Sequence, residues 1–81
     1  MRNVTITVSE EANITYNKPL QAAIGYLSMW ACLTEKYKYL KIAVRSDGDV
    51  IAYYYNDEPC QNLTYSILAQ VGEDGSYSYH S

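Results

Sequence analysis

The chain contains one segment with helical periodicity, and this feature limits the possible folds more than any other. Residues 18–36 carry apolar side chains at the spacing of a single helix face. These apolar positions are Leu20, Ala23, Ile24, Leu27 and Ala31. Asn17 and Pro19 are typical of a helix start, because Asn caps free backbone N–H groups and Pro lacks one. A lone helix cannot bury such a face, so the remaining residues must form a second layer.

The rest of the chain alternates between apolar and polar residues, which is the pattern of half-buried β-strands. The predicted strands cover residues 3–9, 39–46, 49–55, 63–71 and 77–79. A short return strand at residues 14–16 is a further prediction. We therefore predict a single α+β domain, residues 1–81, in the order β-α-β-β-β-β. Its architecture would be an antiparallel sheet of four to five strands with one helix packed on one face.

The Asp-Gly pair at residues 47–48 is a strong hairpin signal, since both residue types accept positive φ. A two-residue loop there would pair Val44 with Ile51 on the apolar face of the sheet. The same register would pair Lys41 with Tyr54 on the opposite, outer face. This register separates an apolar face from a mixed one, as a correct hairpin should.

A second turn follows Val71. Residues 73–75 predict a three-residue loop with Gly75 in the left-handed conformation. This loop would pair Val71 with Tyr77 and Ala69 with Tyr79. A loop one residue shorter or longer would set Val71 against a serine, so the three-residue loop is preferred.

Tyrosine dominates the aromatic residues: the chain has ten Tyr, one Trp and no Phe. Each Tyr hydroxyl needs water or a hydrogen-bond partner, so ten of them cannot all occupy the centre of a small core. One interpretation is a thin sheet with tyrosine-lined edges. The other is a contact surface, because Tyr and Trp are enriched at the energetic centres of protein interfaces. On the predicted helix, large residues widen the apolar arc beyond the packing face. They are Tyr26, Trp30, Leu33 and Tyr37.

No motif of a catalytic, metal or phosphate site is present in the sequence. His80 is the single histidine, and nothing places Cys32 or Cys60 beside it as a nucleophile. Neither a Cys-x-x-Cys nor a His-x-x-x-His pair occurs, and the four Gly form no phosphate-binding loop. We therefore predict a protein that is not an enzyme, has no cofactor or metal, and keeps both cysteines as free thiols.

Four carboxylates are expected at one end of the sheet. In an up-and-down arrangement of strands the two turns emerge on the same side, and neither turn contains Lys or Arg. The carboxylates belong to Asp47, Asp49, Glu73 and Asp74, and the chain returns from this end through Tyr77 and Tyr79. One interpretation is that these turns are acidic for solubility. The other is that they attract a basic groove and take the place of phosphates.

A net charge of −3 and a pI near 4.8 argue against direct nucleic-acid binding, which needs a surplus of Lys and Arg. The outer sheet face is nonetheless an alternative site for a single strand, because aromatic and cationic residues are interleaved there. These residues are Tyr39, Lys41, Arg45 and Tyr54.

In size, acidity and lack of catalytic chemistry, the chain resembles the small proteins with which phages and mobile elements block host defences, such as anti-CRISPR proteins. No motif carries this resemblance. It implies steric or charge mimicry, with the chain bound to a host nuclease complex where nucleic acid would lie. We therefore expect a protein-binding module that occludes a basic partner surface, and a homodimer is compatible with this function. Its anchors would be the tyrosines and the flank formed by Tyr26, Trp30 and Leu33.

Two alternatives remain open from the sequence. The first is a small structural or assembly protein of a phage or larger complex, and the second is the single-strand nucleic-acid binder. Neither an apolar signal segment nor an apolar run of membrane-spanning length occurs, so the expected location is the cytoplasm.

Overall fold

The computed structural model describes residues 4–10, 18–56 and 63–81. One helix packs on one face of a five-stranded sheet whose strands lie in chain order. The elements are β1 Thr5–Glu10, α1 Lys18–Thr34, β2 Tyr39–Val44, β3 Val50–Tyr55, β4 Leu63–Val71 and β5 Tyr77–His80. This arrangement confirms the predicted α+β class and the order β-α-β-β-β-β. Asn17, the strand predicted at 14–16 and Cys60 lie outside the described residues.

The sheet is mixed rather than wholly antiparallel. β1 pairs in parallel with β2, whereas the pairings β2–β3, β3–β4 and β4–β5 are antiparallel as predicted. The difference follows from the connection, because α1 lies between β1 and β2 and returns the chain to the end of the sheet where β1 started. β1 and β5 are therefore the two edge strands.

The core lies between α1 and the central strands. The predicted helix face is confirmed, since Leu20, Ala23, Leu27 and Ala31 are buried, and Ile24 packs against them half-buried. The sheet contributes alternate residues of its three central strands. They are Leu40, Ile42 and Val44 of β2, Val50, Ala52 and Tyr54 of β3, and Ile67 and Ala69 of β4.

The register of the first hairpin corrects the sequence prediction. Val44 pairs with Val50, and Lys41 pairs with Tyr53. The loop has three residues, because the backbone N–H of Arg45 donates to the carbonyl of Asp49 and closes residues 46–48 between them. A loop one residue longer moves every side chain of β3 to the opposite face.

A type I turn followed by a left-handed residue explains this longer loop. The Gly48 N–H donates to the Arg45 carbonyl at 3.0 Å, and Gly48 has φ 95°. The Asp47 carboxylate accepts from the backbone N–H of Asp49 at 3.0 Å, which favours this turn over the two-residue alternative. An Asp-Gly pair suits both loops, so the pair alone does not separate them.

Tyr54 is the residue most affected by the corrected register. It was expected on the outer face, and it is instead fully buried beneath α1, with 0% of its surface exposed. Its hydroxyl donates to the backbone carbonyl of Leu27 at 3.1 Å, so the buried polar atom has a partner. Tyr54 is therefore a core residue and cannot act as a contact residue on the outer face.

The second hairpin has the predicted register. Val71 pairs with Tyr77 and Ala69 with Tyr79. The Gly72 N–H donates to the Ser76 carbonyl and closes a three-residue loop, in which Gly75 has φ 86° as expected. Both hairpins thus use the same kind of turn.

The helix ends two residues earlier than predicted, at Thr34. Glu35 takes the left-handed conformation with φ 56°, which terminates α1. The chain turns back at this point, so Tyr37 does not extend the apolar arc of the helix as predicted. It is buried in the core, with 7% of its surface exposed.

Candidate functional site

An aromatic cluster holds Trp30 in place between the helix and the sheet. The Trp30 ring stacks on Tyr37 at 5.8 Å and on Tyr65 at 5.5 Å between centroids, and it meets Tyr54 edge-on at 5.0 Å. Burial raises the pKa of Tyr37 and of Tyr54, with neighbouring tyrosines adding to the effect. The three ring contacts hold the Trp30 side chain, which is half-buried, in one orientation.

Beside this cluster, large apolar side chains of α1 and β5 remain in contact with solvent. Tyr26, Met29 and Leu33 are 44%, 54% and 62% exposed, and Tyr79 of β5 is 40% exposed. We call these four residues, with Trp30 beneath them, the helix flank. The Tyr26 and Tyr79 rings lie 4.5 Å apart, so the helix and the edge strand form one continuous surface.

A shallow groove of about 190 Å³ runs along the helix flank. It is lined by Tyr26, Trp30, Tyr65, Ile67, Tyr79, His80 and Ser81. Small-molecule sites usually have volumes above roughly 300 Å³ and enclose most of the ligand. The groove is open and smaller than this, so its shape suits a protruding side chain of a macromolecule better than a cofactor.

The two acidic turns are neighbours, as the strand order requires. The Tyr77 hydroxyl donates to the Gly48 carbonyl at 2.7 Å, and the Val71 N–H donates to the Asp49 carboxylate at 3.0 Å. These bonds join the β2–β3 turn to the β4–β5 turn. Burial and the nearby Asp49 charge raise the pKa of Tyr77, so it remains a hydrogen-bond donor at neutral pH.

Most of the turn carboxylates have structural roles. Asp47 lies 3.6 Å from the Arg45 guanidinium, and both side chains are about half exposed. Asp74 accepts from the hydroxyl and the N–H of Ser76 at 2.7 and 3.1 Å, and these bonds lower its pKa. Such bonds are the usual chemistry of Asp in turns. They support the interpretation that these acids stabilise the turns. Substituting Glu73 is therefore the clearest way to test the effect of charge at the turns separately from these hydrogen bonds.

The outer sheet face carries Tyr39 and Lys41, as predicted, but the β3 residues beside them differ from the prediction. The register places Tyr53 and Tyr55 on this face instead of Tyr54. The Lys41 ammonium lies 5.8 Å from the centroid of the Tyr55 ring. A groove of about 350 Å³ follows this face. It is lined by Thr7, Ser9, Lys41, Ile42, Ala43, Tyr53 and Tyr55.

The nucleophilic and metal-ligating residues form no built site in the described part of the chain. Cys32 is a half-buried free thiol on α1. The His80 ring lies 3.1 Å from the Ser78 hydroxyl, but both side chains are exposed on β5, where solvent competes for the contact. Within residues 4–10, 18–56 and 63–81, no group of three His, Cys, Asp or Glu side chains is placed to hold a metal ion.

Sequence reasoning missed three residues of these two surfaces. Met29 shares a helix face with Tyr26 and Leu33 at i, i+3 and i+7 spacing, so helical geometry alone could have included it. The predicted two-residue loop would place Tyr53 and Tyr55 on the inner face with Ile51, whereas the three-residue loop places them on the outer face. Of the predicted contact residues, Tyr26, Leu33 and Tyr79 are exposed together, while Tyr39, Tyr77 and Trp30 are half-buried.

Among the helices that the structure describes, none has the length and apolar character needed to cross a membrane. No protein-family model matches the chain, and no curated protein or solved structure is significantly similar to it.

Proposed function

We propose that this protein is a non-enzymatic binding module that acts by occupying a surface of a partner protein through its helix flank. The observation that supports this proposal is the exposed strip formed by Tyr26, Met29 and Leu33 on one helix face and continued by Tyr79, whose ring contacts Tyr26. Water-exposed apolar side chains of this size, placed side by side, are typical of interaction sites. Aromatic and Met side chains are also enriched in interface cores.

The aromatic cluster beneath the strip makes it a favourable contact surface. Trp30 is held by three ring contacts, and Tyr26 is held against Tyr79. Side chains that are already ordered lose little conformational entropy on binding, which is a main cost of association. The helix flank can therefore convert buried area into affinity without rearrangement.

The charge of the chain indicates the class of partner. A net charge of −3, with acidic side chains at the joined turns, favours a basic surface and faster association with it. A protein with such a surface, for example a host nuclease complex whose nucleic-acid groove is blocked, fits this chemistry. The corresponding biological class is a small inhibitor of phage or mobile-element origin, similar in style to anti-CRISPR proteins and acting in the host cytoplasm.

Quantitative capture experiments test the proposal. The tagged chain, a Leu33→Glu variant and a Gln70→Glu control are compared for recovery of the same partner from a cell lysate. Both positions are exposed, but Gln70 lies on the outer sheet face. Loss of a hot-spot contact should weaken capture by Leu33→Glu roughly 30-fold, whereas Gln70→Glu should capture like the unmodified chain. Equal capture by all three proteins would contradict the helix flank as the contact surface.

Occlusion is tested on the captured partner. If the chain occupies a nucleic-acid groove, the partner should lose binding to a labelled double-stranded oligonucleotide in proportion to the amount of chain added. A Glu73→Lys variant should associate more slowly and with a weaker dependence on salt, because Glu73 contributes charge at the exposed β4–β5 turn. Unchanged oligonucleotide binding by a partner saturated with the chain would refute occlusion.

A further inference from the structure

The outer sheet face has a separate character from the helix flank. It lies on the side of the sheet away from α1, because its residues alternate with the buried residues of β2 and β3. Across β1, β2 and β3, the pairings place Thr7 beside Lys41 and Lys41 beside Tyr53. The next row places Tyr39 beside Tyr55. A cation is thus surrounded by flat rings and by hydroxyl groups.

The local charge of this face differs from that of the whole protein. Among the residues that the structure describes, the groove lining includes Lys41 and no carboxylate, although the chain has nine acidic and six basic residues. The acidic turns lie beyond the ends of β2 and β3, on the far side of Val44 and Val50 from Lys41. Local charge and shape determine binding at a groove more directly than net charge does.

The geometry suits a ligand that combines flat rings with a negative group. Tyr53 and Tyr55 are half-buried, so part of each ring is available for stacking while the rest of the side chain packs against the sheet. The Lys41 ammonium lies 5.8 Å from the centroid of the Tyr55 ring, so a negative group bound to Lys41 would lie next to this aromatic surface. The hydroxyls of Thr7 and Ser9 line the same groove and can donate to phosphate or sugar oxygens.

From this arrangement we infer that the outer sheet face binds single-stranded nucleic acid, with bases stacked on Tyr53 and Tyr55 and a phosphate at Lys41. Rings on a sheet surface interleaved with cations are the usual platform for single strands. The corrected register supports this inference, because β3 contributes two rings, Tyr53 and Tyr55, to the face that carries Tyr39 and Lys41, where the sequence pattern predicts only Tyr54 from that strand. The site is independent of the helix flank, which lies on the other side of the sheet.

The salt dependence of binding follows from the small number of cations. One phosphate contact to a single strand gives a slope of roughly −0.7 in the logarithm of affinity against the logarithm of salt concentration. Affinity should therefore fall about threefold between roughly 50 and 200 mM salt, a much weaker dependence than that of a basic nucleic-acid-binding protein. Most of the affinity would come from stacking, so it should survive at moderate salt.

The experiment uses the full chain and a labelled thymidine oligonucleotide of about ten nucleotides, within the usual span of small single-strand sites. Fluorescence anisotropy is measured at several salt concentrations. Saturable binding with the shallow slope is the expected result. A Lys41→Gln variant should lose most of the salt dependence, and a Tyr53→Leu variant should bind roughly five- to hundredfold more weakly.

Two controls make the test decisive. Leu33→Glu, on the opposite face, should bind the oligonucleotide as tightly as the unmodified chain, which separates this site from the helix flank. A sulfated polysaccharide offers charge without bases and should bind at least tenfold more weakly than the oligonucleotide. Far-ultraviolet circular dichroism verifies that each variant is folded. No oligonucleotide binding at low salt, equal binding of the polysaccharide, or unchanged affinity of folded Tyr53→Leu would overturn the inference.

Discussion

Replacing Tyr54 by Phe tests the register of the central hairpin, on which both candidate surfaces depend. The change removes the hydroxyl that donates to the Leu27 carbonyl at 3.1 Å in the core. Leu27 lies inside α1, so its carbonyl keeps its intrahelical partner and is not left unsatisfied. The expected cost is therefore that of a neutral hydrogen bond, about 1 kcal/mol of the free energy of unfolding.

Tyr53→Phe is the matched control, because it makes the same chemical change one residue away on the outer face. Its expected cost is within about 0.5 kcal/mol of zero, as for other surface changes. Urea denaturation of both variants measures the free energy of unfolding. In thermal unfolding, the Tm of Tyr54→Phe should be roughly 4–8 °C below that of the unmodified chain. A larger loss for Tyr53→Phe than for Tyr54→Phe would refute the three-residue loop and support the two-residue register.

Tyr54→Phe should also change how the free energy of unfolding depends on pH in alkaline solution. Burial raises the folded-state pKa of Tyr54 above the ordinary tyrosine value of 10.0, so above that pH the folded state keeps a proton that the unfolded state has lost. The stabilising contribution is complete below about pH 10 and declines as pH rises above that value. Tyr54→Phe should make the decline shallower by up to about 1.4 kcal/mol per pH unit. An unchanged slope, measured by denaturation between pH 9.5 and 11, would contradict the burial of Tyr54.

Two further predictions concern the turns. Gly48 and Gly75 both have positive φ, so changing either to Ala should destabilise the protein by roughly 1–2 kcal/mol, measured by urea denaturation. Gly48→Ala should be the more costly of the two, because its new Cβ would lie 3.3 Å from Val71 Cγ1, whereas the new Cβ at Gly75 would meet open space. Equal losses of stability would contradict the close approach of Gly48 to Val71. Ser76→Ala should raise the pKa of Asp74 towards 3.8 in a carboxyl titration followed by NMR, because it removes the larger of the hydrogen bonds that lower it. A pKa that stays low in Ser76→Ala would show that this hydrogen bond does not form in solution.

Local patterns were sufficient to predict the helix, the strands and the second hairpin. The helix face from Leu20 to Ala31 follows from periodicity, and the pairing of Val71 with Tyr77 follows from the need to match apolar residues across the turn. Two features depended on more than local sequence. An Asp-Gly pair accommodates loops of two or three residues, so the face occupied by Tyr54 could not be determined from the turn residues alone.

The direction of β1 was the other feature that local patterns could not give. Alternation identifies a strand but not its partner, and the parallel pairing with β2 results from the path of α1. For the candidate site, helix geometry correctly predicted Tyr26 and Leu33 as surface residues. Trp30 was placed on the same flank, but its burial depends on Tyr37 and Tyr65, which approach it through the fold. Residues distant in sequence thus determine how much of each aromatic ring is exposed.

We propose that the protein contacts its partner through the helix flank. Site-specific photo-crosslinking tests this contact, with a photoreactive amino acid placed at Met29 in one sample and at Gln70 on the outer sheet face in the other. Both positions are exposed, so both probes are accommodated without disturbing the core. We expect a discrete adduct with one partner protein from the probe at Met29, which disappears when the same chain also carries Leu33→Glu, and no adduct with that protein from the probe at Gln70. The same adduct from Gln70, or an adduct from Met29 that persists in the chain with Leu33→Glu, would show that the helix flank is not the contact surface.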